Sequence, residues 1–267
     1  MTTLIGEGDV LLDITDGVAD LRLNRPGSAN GMTVGMLRSL YGALMACHRE
    51  PGLRVLVIGG NGKHFSGGGD VRDFASHGEA LPAYLREVTS WLQVSVSAMV
   101  RLPAPVIARV QGFAAGGGGF GLVCAADFVV AAESARFLPA ATNVGMAPDA
   151  GATATLSRLV GLRQAMRIAL TNPRLTAKEA LELGIVSEVV PDAELHARTE
   201  ELARTLAAGA PRAQAATKRL LWDGLGRSLE EVLPDEARTV SELSGTADAR
   251  EGLAAVIEHR SPVFTGR

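Results

Sequence analysis

Cysteine is scarce: the chain holds only Cys47 and Cys124 in 267 residues. Two cannot build a disulfide framework, and Cys124 lies in an apolar run, as a buried thiol would. A reducing, cytoplasmic setting fits this usage. The five histidines, His48, His64, His77, His196 and His259, are scattered. None has ligand spacing and no Cys/His cluster occurs, so no metal site is expected. Positive charge is not in excess either. The formal net charge is −3, which implies no basic face for nucleic acid. No apolar run reaches the roughly 18 residues that a membrane-spanning helix needs. The first residues, MTTLIGEGDVLLDITDG, lack a basic segment followed by an apolar one, so no secretory signal is expected. No internal repeat or low-complexity linker is present.

Apolar residues and glycine are what the chain has. Hydrophobic residues make up 47% and charged residues 21%, the balance of a globular chain able to bury a large core. Val10 to Ile14 and Val18 to Leu23 alternate as strands, and Asp16 with Gly17 between them predicts a hairpin. Thr33 to Arg49 has helical spacing, with Met36, Leu37, Leu40, Leu44 and Met45 on one face. Further strands are expected at 54–58, 105–110, 128–131, 135–138 and 185–190. Helices are expected at 81–102, 116–126, 151–160 and 163–170. Thr176 with Glu179 predicts a capping box, and Gly184 the stop that follows. From Asp192 to about Ile257 the chain reads as helical. Strands alternate with helices first and helices dominate the end, which is an α/β pattern with a helical C-terminal region.

Nine of the 31 glycines cluster in two segments. Lys63 to Asp70 reads KHFSGGGD and follows the 54–58 strand. Gln111 to Gly121 reads QGFAAGGGGFG and follows the 105–110 strand. Both lie beyond the carboxyl end of a strand, where open α/β folds bind ligands. Each glycine inside a helix costs about 0.5–1 kcal/mol relative to alanine. Four in a row, Gly116 to Gly119, therefore need an offset. Close approach of a ligand is one, and tight packing of helix on strand is another. A helix N-terminus also offers free N–H groups, so one donor from each segment would make an oxyanion hole. A dinucleotide reading is weaker. Gly116, Gly118 and Gly121 match G-x-G-x-x-G, but a glycine run matches it almost freely, and no convincing acidic partner follows.

Together these segments resemble the crotonase superfamily, also called the enoyl-CoA hydratase/isomerase family. Leu23 to Pro26 followed by Asn30 resembles its LNRP…N segment. Val55 to Asp70 and Pro105 to Gly118 resemble its two glycine blocks. Leu159 to Gly161 with Ala165, Leu175 to Val189 and Glu251 to Arg267 resemble its later signatures. The resemblance implies a ClpP-like crotonase spiral of ββα units over residues 1–195. It implies a helical region over 196–267 for trimerisation and part of the CoA pocket. A homotrimer or dimer of trimers would follow. The implied partner is an acyl-CoA thioester, with no cofactor beyond the coenzyme A of the substrate itself.

By position, the implied oxyanion donors are the N–H groups of Gly67 and Gly117. The stretch Ser66, Gly67, Gly68, Gly69 and Asp70 would line the CoA path, with Asp70 equally suited to cap a helix. Arg25 and Lys218 would meet the nucleotide end or its phosphates; for Lys218 and its neighbour Arg219 a plain charged face is the competing reading. His64 suits a surface or phosphate contact, Asp127 suits nearby backbone, and Glu133 suits solvent.

The two glutamates of the family's hydratases are missing: their positions hold Phe120 and Ala141. Neither side chain moves protons, so the two-glutamate hydration route is not expected. Asp149 remains, in Met146 to Gly151 (MAPDAG). That segment resembles the ring-opening and double-bond-shifting isomerases of phenylacetate-type catabolism, where the matching Asp is an acid/base. It also resembles 4-chlorobenzoyl-CoA dehalogenases, where the Asp is a nucleophile, as does Leu170 to Leu175. Their general-base His falls at Gln93 here and their site Trp at Ala141. Just ahead of a helix, Asp149 also suits an N-cap. The expectation is enoyl-CoA isomerisation with Asp149 as catalytic acid/base. Dehalogenase-like hydrolysis and silent thioester binding are the alternatives.

Overall fold

The computed structural model describes residues 1–267. It opens with β1 (Thr2–Ile5), β2 (Val10–Thr15) and β3 (Val18–Leu23). Then come α1 (Val34–Arg49), β4 (Val55–Gly60), α2 (Val71–Ser76), α3 (Leu81–Val100) and β5 (Val106–Val110). These lead to β6 (Phe113–Ala115), α4 (Gly116–Ala125), β7 (Phe128–Ala132) and β8 (Arg136–Leu138). Next are α5 (Ala152–Thr171), β9 (Leu175–Thr176), α6 (Ala177–Glu182) and β10 (Glu188–Val190). Four helices end the chain: α7 (Leu195–Ala207), α8 (Pro211–Gly224), α9 (Leu229–Ser244) and α10 (Ala247–Ile257).

Seven strands form the main sheet in the order β1-β2-β3-β4-β5-β7-β10, and β6-β8-β9 form a second. Within the main sheet every pairing from β3 to β10 is parallel, whereas β8 and β9 of the second pair antiparallel. The hairpin between β2 and β3 turns on Asp16 and Gly17, with φ of 50° and 78°. Two positive φ values in a two-residue loop match the strands' own twist. The central strands bury both faces. Leu56 and Ile58 join the large core under α1 and α3, whereas Val55 and Val57 face a smaller cluster with Leu195 and Ala203 of α7. This is the near-continuous apolar run of a parallel strand.

The helical capping signals act as the sequence predicts. Thr176 and Glu179 form a reciprocal capping box at the start of α6, and Thr33 caps α1. Gly161 breaks α5 into two at φ 75°, ψ 155°, which agrees with the expected pair of helices. Four elements escape the sequence reading: β1, whose residues are mostly exposed, the short strands β6 and β9, and α2, a six-residue turn whose start is set by the Asp70 side chain. No helix is long and apolar enough to cross a membrane.

Helix α8 is fastened to the core by a buried cation. Lys218 Nζ lies 2.7 Å from Asp127 Oδ2 and donates to the carbonyls of Met99 (3.1 Å) and Ala104 (3.0 Å). Asp127 also accepts from Val106 N–H (2.8 Å) and Trp222 Nε1–H (3.0 Å). Its expected backbone role thus holds, with more partners than expected. The expected CoA contact of Lys218 does not hold, because its ammonium is buried and its partners are internal. Arg219 pairs with Asp235 of α9 at 2.7 Å. Removing one member of a buried pair strands the other charge. Lys218→Ala is therefore expected to lower unfolding free energy by about 3–5 kcal/mol in urea melts, and Lys218→Arg to recover only part of it.

Candidate functional site

The two glycine segments meet backbone to backbone. Ser66 and Ala114 form a β-bridge, and Ala115 N–H donates to Ser66 O at 2.9 Å. A methyl group at Gly68 would lie 2.6 Å from Ala115 O, and one at Gly119 would lie 2.5 Å from Ser66 O. Tight packing, one of the two offsets considered for the glycine run, thus occurs.

Asn30 locks the first segment from behind. It is fully buried, and its Nδ2 donates to the carbonyls of Asn61, His64 and Phe65 at 3.0, 2.8 and 3.1 Å. Its Oδ1 accepts from Arg25 N–H at 2.8 Å. Ser66 Oγ donates to Asn30 O and accepts from Gly68 N–H. Ser66 and Gly68 are buried, and these bonds give them a scaffold role in the loop. Asp70 caps α2 through Asp73 N–H and pairs with Arg25 Nη2 at 3.1 Å. Arg25 also donates to Gly31 O. That guanidinium therefore orders this loop instead of reaching free toward a nucleotide. His64 Nδ1 accepts from Phe113 N–H at 3.1 Å, and so holds the second segment.

The donor pair differs from the expected one. Gly67 N–H donates to Ala29 O at 2.7 Å and is not free. The parallel bridge of Met32 and Gly69 supplies the replacement. Met32 N–H bonds Gly68 O, and Asp70 N–H bonds Met32 O, which brackets Gly69 and leaves its own N–H without a backbone acceptor. Gly117 N–H sits in the first turn of α4, where no intrahelical acceptor exists. The two turns touch here: a methyl group at Gly116 would lie 3.8 Å from Gly69 N. Gly69 and Gly117 are thus the available donors, facing one cavity of about 480 Å³.

That cavity is walled by Met32, Leu85, Val88, Leu92, Met146 and Phe74, among others. The Phe74 ring lies against Gly69, where a side-chain methyl would overlap it. Tyr84 braces Phe74 edge-on and donates to Asp73. Among the lining side chains one is ionisable: Asp149. A methyl at Gly117 would coincide with Asp149 Oδ1, so the carboxylate occupies the volume a side chain at 117 would need. Burial pushes the Asp149 carboxyl above its ordinary value of 3.8, against a smaller opposing pull from its own backbone N–H. The N-cap reading of Asp149 does not hold. The cap of α5 is Gly151, with φ 73° and no side-chain bond. Ala141 lines the same cavity as Asp149, whereas Phe120 is buried on the other side of Gly117. No three His, Cys, Asp or Glu side chains converge to hold a metal ion.

Gly117 has an ordinary helical backbone, so alanine there removes the intrinsic cost of a helical glycine, about 1 kcal/mol. Gly117→Ala is nevertheless expected to drive Asp149 out of place. A crystal structure of the variant checks this, with the carboxylate predicted to leave its seat over residue 117 while α4 persists.

A family model described as enoyl-CoA hydratase/isomerase matches residues 13–267. A probable enoyl-CoA hydratase of Rhodobacter capsulatus is 41% identical over 256 residues, covering 96% of this chain and 97% of the relative. The 1,2-epoxyphenylacetyl-CoA isomerase of Escherichia coli is 35% identical over 261 residues, covering 97% of this chain and 98% of the relative. The crystal structure of an enoyl-CoA hydratase from Bacillus anthracis superposes with a TM-score of 0.92 at 33% identity, over 97% of this chain and 100% of that one. The chain belongs to the enoyl-CoA hydratase/isomerase family and has the crotonase fold.

Proposed function

We propose that the site binds an acyl-CoA thioester and isomerises its double bond by moving one proton. Asp149 beside two free N–H donors is the observation that carries this reading. The thioester oxygen accepts from Gly69 and Gly117. Asp149 removes a proton from a carbon next to the carbonyl, and the electron pair moves onto the thioester oxygen as an enolate. Donors fixed by backbone need no rearrangement as that charge develops. Asp149 then returns the proton at a more distant carbon. No water is consumed. Phe120 and Ala141, where the hydratase acids would stand, leave no group to activate one.

A nucleophilic role for Asp149 is less well supported. Gln93, at the base position of the dehalogenases, is exposed, and its carboxamide cannot serve as a general base. The experiment is an enoyl-CoA isomerisation assay on wild type and Asp149→Asn. Loss of a general acid/base is expected to lower turnover by about 10²–10⁴-fold. Unchanged turnover would remove Asp149 from the mechanism, tight binding without product would mark a silent thioester binder, and released halide would mark a dehalogenase.

The same variant has a stability signature with a definite sign. A carboxyl whose pKa is raised by folding weakens the fold as pH climbs past its unfolded value, because the folded state then holds a proton that the unfolded state gives up. A neutral carboxamide at position 149 does not titrate and escapes this penalty. Asp149→Asn is expected to raise Tm at pH 7, with the gain vanishing as pH falls toward 3.8.

We further propose self-association, as a trimer or a dimer of trimers, through the helical region after β10. Leu229, Leu233 and Val240 lie along one face of α9, and Leu253, Val256 and Ile257 along one face of α10, all exposed. So large an apolar surface is unusual for a monomer. Light scattering is expected to give three or six times the 27.8 kDa chain mass. Val256→Glu with Ile257→Glu is expected to shift it toward monomer.

A further inference from the structure

We propose that His64 is a positioning residue for the two donor turns, and that only its neutral ring can hold them together. The role rests on the acyl-thioester reading above and adds control by pH to the same site.

The seam between the turns is a short parallel ladder with one substituted bond. Ser66 N–H donates to Phe113 O at 3.0 Å, and Ala115 N–H to Ser66 O at 2.9 Å. Carried one step back, that ladder would send Phe113 N–H to His64 O. Asn30 Nδ2 already holds this carbonyl at 2.8 Å. The His64 ring supplies the acceptor in its place: Phe113 N–H donates to Nδ1 at 3.1 Å. The backbone opposite leaves room for the ring, since a methyl group at Gly112 would lie 2.5 Å from Nδ1. Phe113 opens β6, which runs without a break into α4 and Gly117. The ring thus ties the turn that carries Gly69 to the strand that leads to Gly117.

A ring nitrogen accepts a hydrogen bond only when it carries no proton. His64 is therefore neutral in this arrangement, with its proton on Nε2. Protonation makes both nitrogens donors, and no rotation of the ring restores an acceptor. Phe113 N–H is then left facing another N–H. The surroundings oppose protonation: burial first, and then Lys63, hold His64 below its ordinary value of 6.5. Of the other charges nearby, Arg174 lies over the Phe113 ring, and Arg136 of β8 is bonded to the carbonyls of Glu133, Ser134 and Ala135. No carboxylate acts on the ring to favour its cation. The seam is therefore intact at neutral pH. The stability it contributes declines once pH falls below 6.5, where the unfolded chain takes the proton first, and is lost as pH passes the lower folded value.

The test compares wild type with His64→Asn and His64→Ala. Asn places Oδ1 where Nδ1 stood and accepts at every pH, whereas Ala never accepts. Nitrogen NMR of histidine-labelled protein reads the tautomer, melting curves from about pH 5 to 8 read the seam, and calorimetry with acetyl-CoA reads the site. The wild-type ring is expected to carry its proton on Nε2 at pH 8. His64→Ala is expected to melt lower than wild type at pH 8 and to bind acetyl-CoA about tenfold more weakly, the weight of one hydrogen bond. His64→Asn is expected to restore both. Below pH 6.5 the wild type is expected to fall behind His64→Asn in Tm and in affinity. Should His64→Ala fail to fold, the wild type and His64→Asn carry the comparison. A neutral ring protonated on Nδ1, or a His64→Asn that shares the acid loss of the wild type, overturns the clasp. Restored Tm with equal affinity in all three proteins overturns the positioning role. Failure of the wild type to bind acetyl-CoA at any pH overturns the acyl-CoA reading instead, and the ring spectra and melting curves still decide the clasp.

Discussion

The site depends on two turns pressed together with no side chain between them. Gly68 lies against Ala115 O and Gly119 against Ser66 O, each closer than a methyl group allows. Contact at that range brings the N–H groups of Gly69 and Gly117 to one cavity and fixes their directions by backbone geometry. Side chains would hold such donors with rotamer freedom, whereas backbone turns do not. The glycines weaken α4 as an isolated helix, and its burial against the core offsets that. Eight of its ten residues are buried, so tertiary packing overrides propensity here.

Polar groups around the turns divide into holders and one without a fixed partner. Asn30, Ser66, Arg25, Asp70 and His64 all resemble ligand contacts when read as residue types near glycine. Each is instead committed to a backbone carbonyl, an N–H group or a neighbouring charge. Asp149 is different: it is half-buried, makes no side-chain hydrogen bond to another residue and takes a raised pKa from burial alone. A carboxylate left without a fixed partner remains available for transfer. This contrast is the electrostatic ground for the proposed proton transfer.

Much of the fold was legible because its signals are local. The Asp16–Gly17 hairpin, the Thr176 capping box and the Gly161 break each follow from a few adjacent residues. The position of both glycine segments was legible too. What escaped depends on distant partners. Choosing Gly69 over Gly67 requires knowing that Ala29 O claims one N–H and that Met32 brackets the other. The fate of Lys218 turns on Asp127, which approaches it only after α8 docks. Whether Asp149 caps α5 was decided by the left-handed turn at Gly151. In each case the residue type was read correctly and its hydrogen-bond partner was not visible.

The Asn30 carboxamide has a kinetic consequence. Its three acceptor carbonyls lie 31, 34 and 35 residues further along the chain. They reach it only once β3 and β4 have paired in parallel across the whole of α1. Such nonlocal closures form late, because loop entropy is lost before their contacts return any free energy. Helices α1 and α3 can acquire structure while the glycine turns are still unjoined. The geometry of the glycine turns thus depends on a nonlocal closure, and partial unfolding of this corner would disrupt the site while most of the helix content survives.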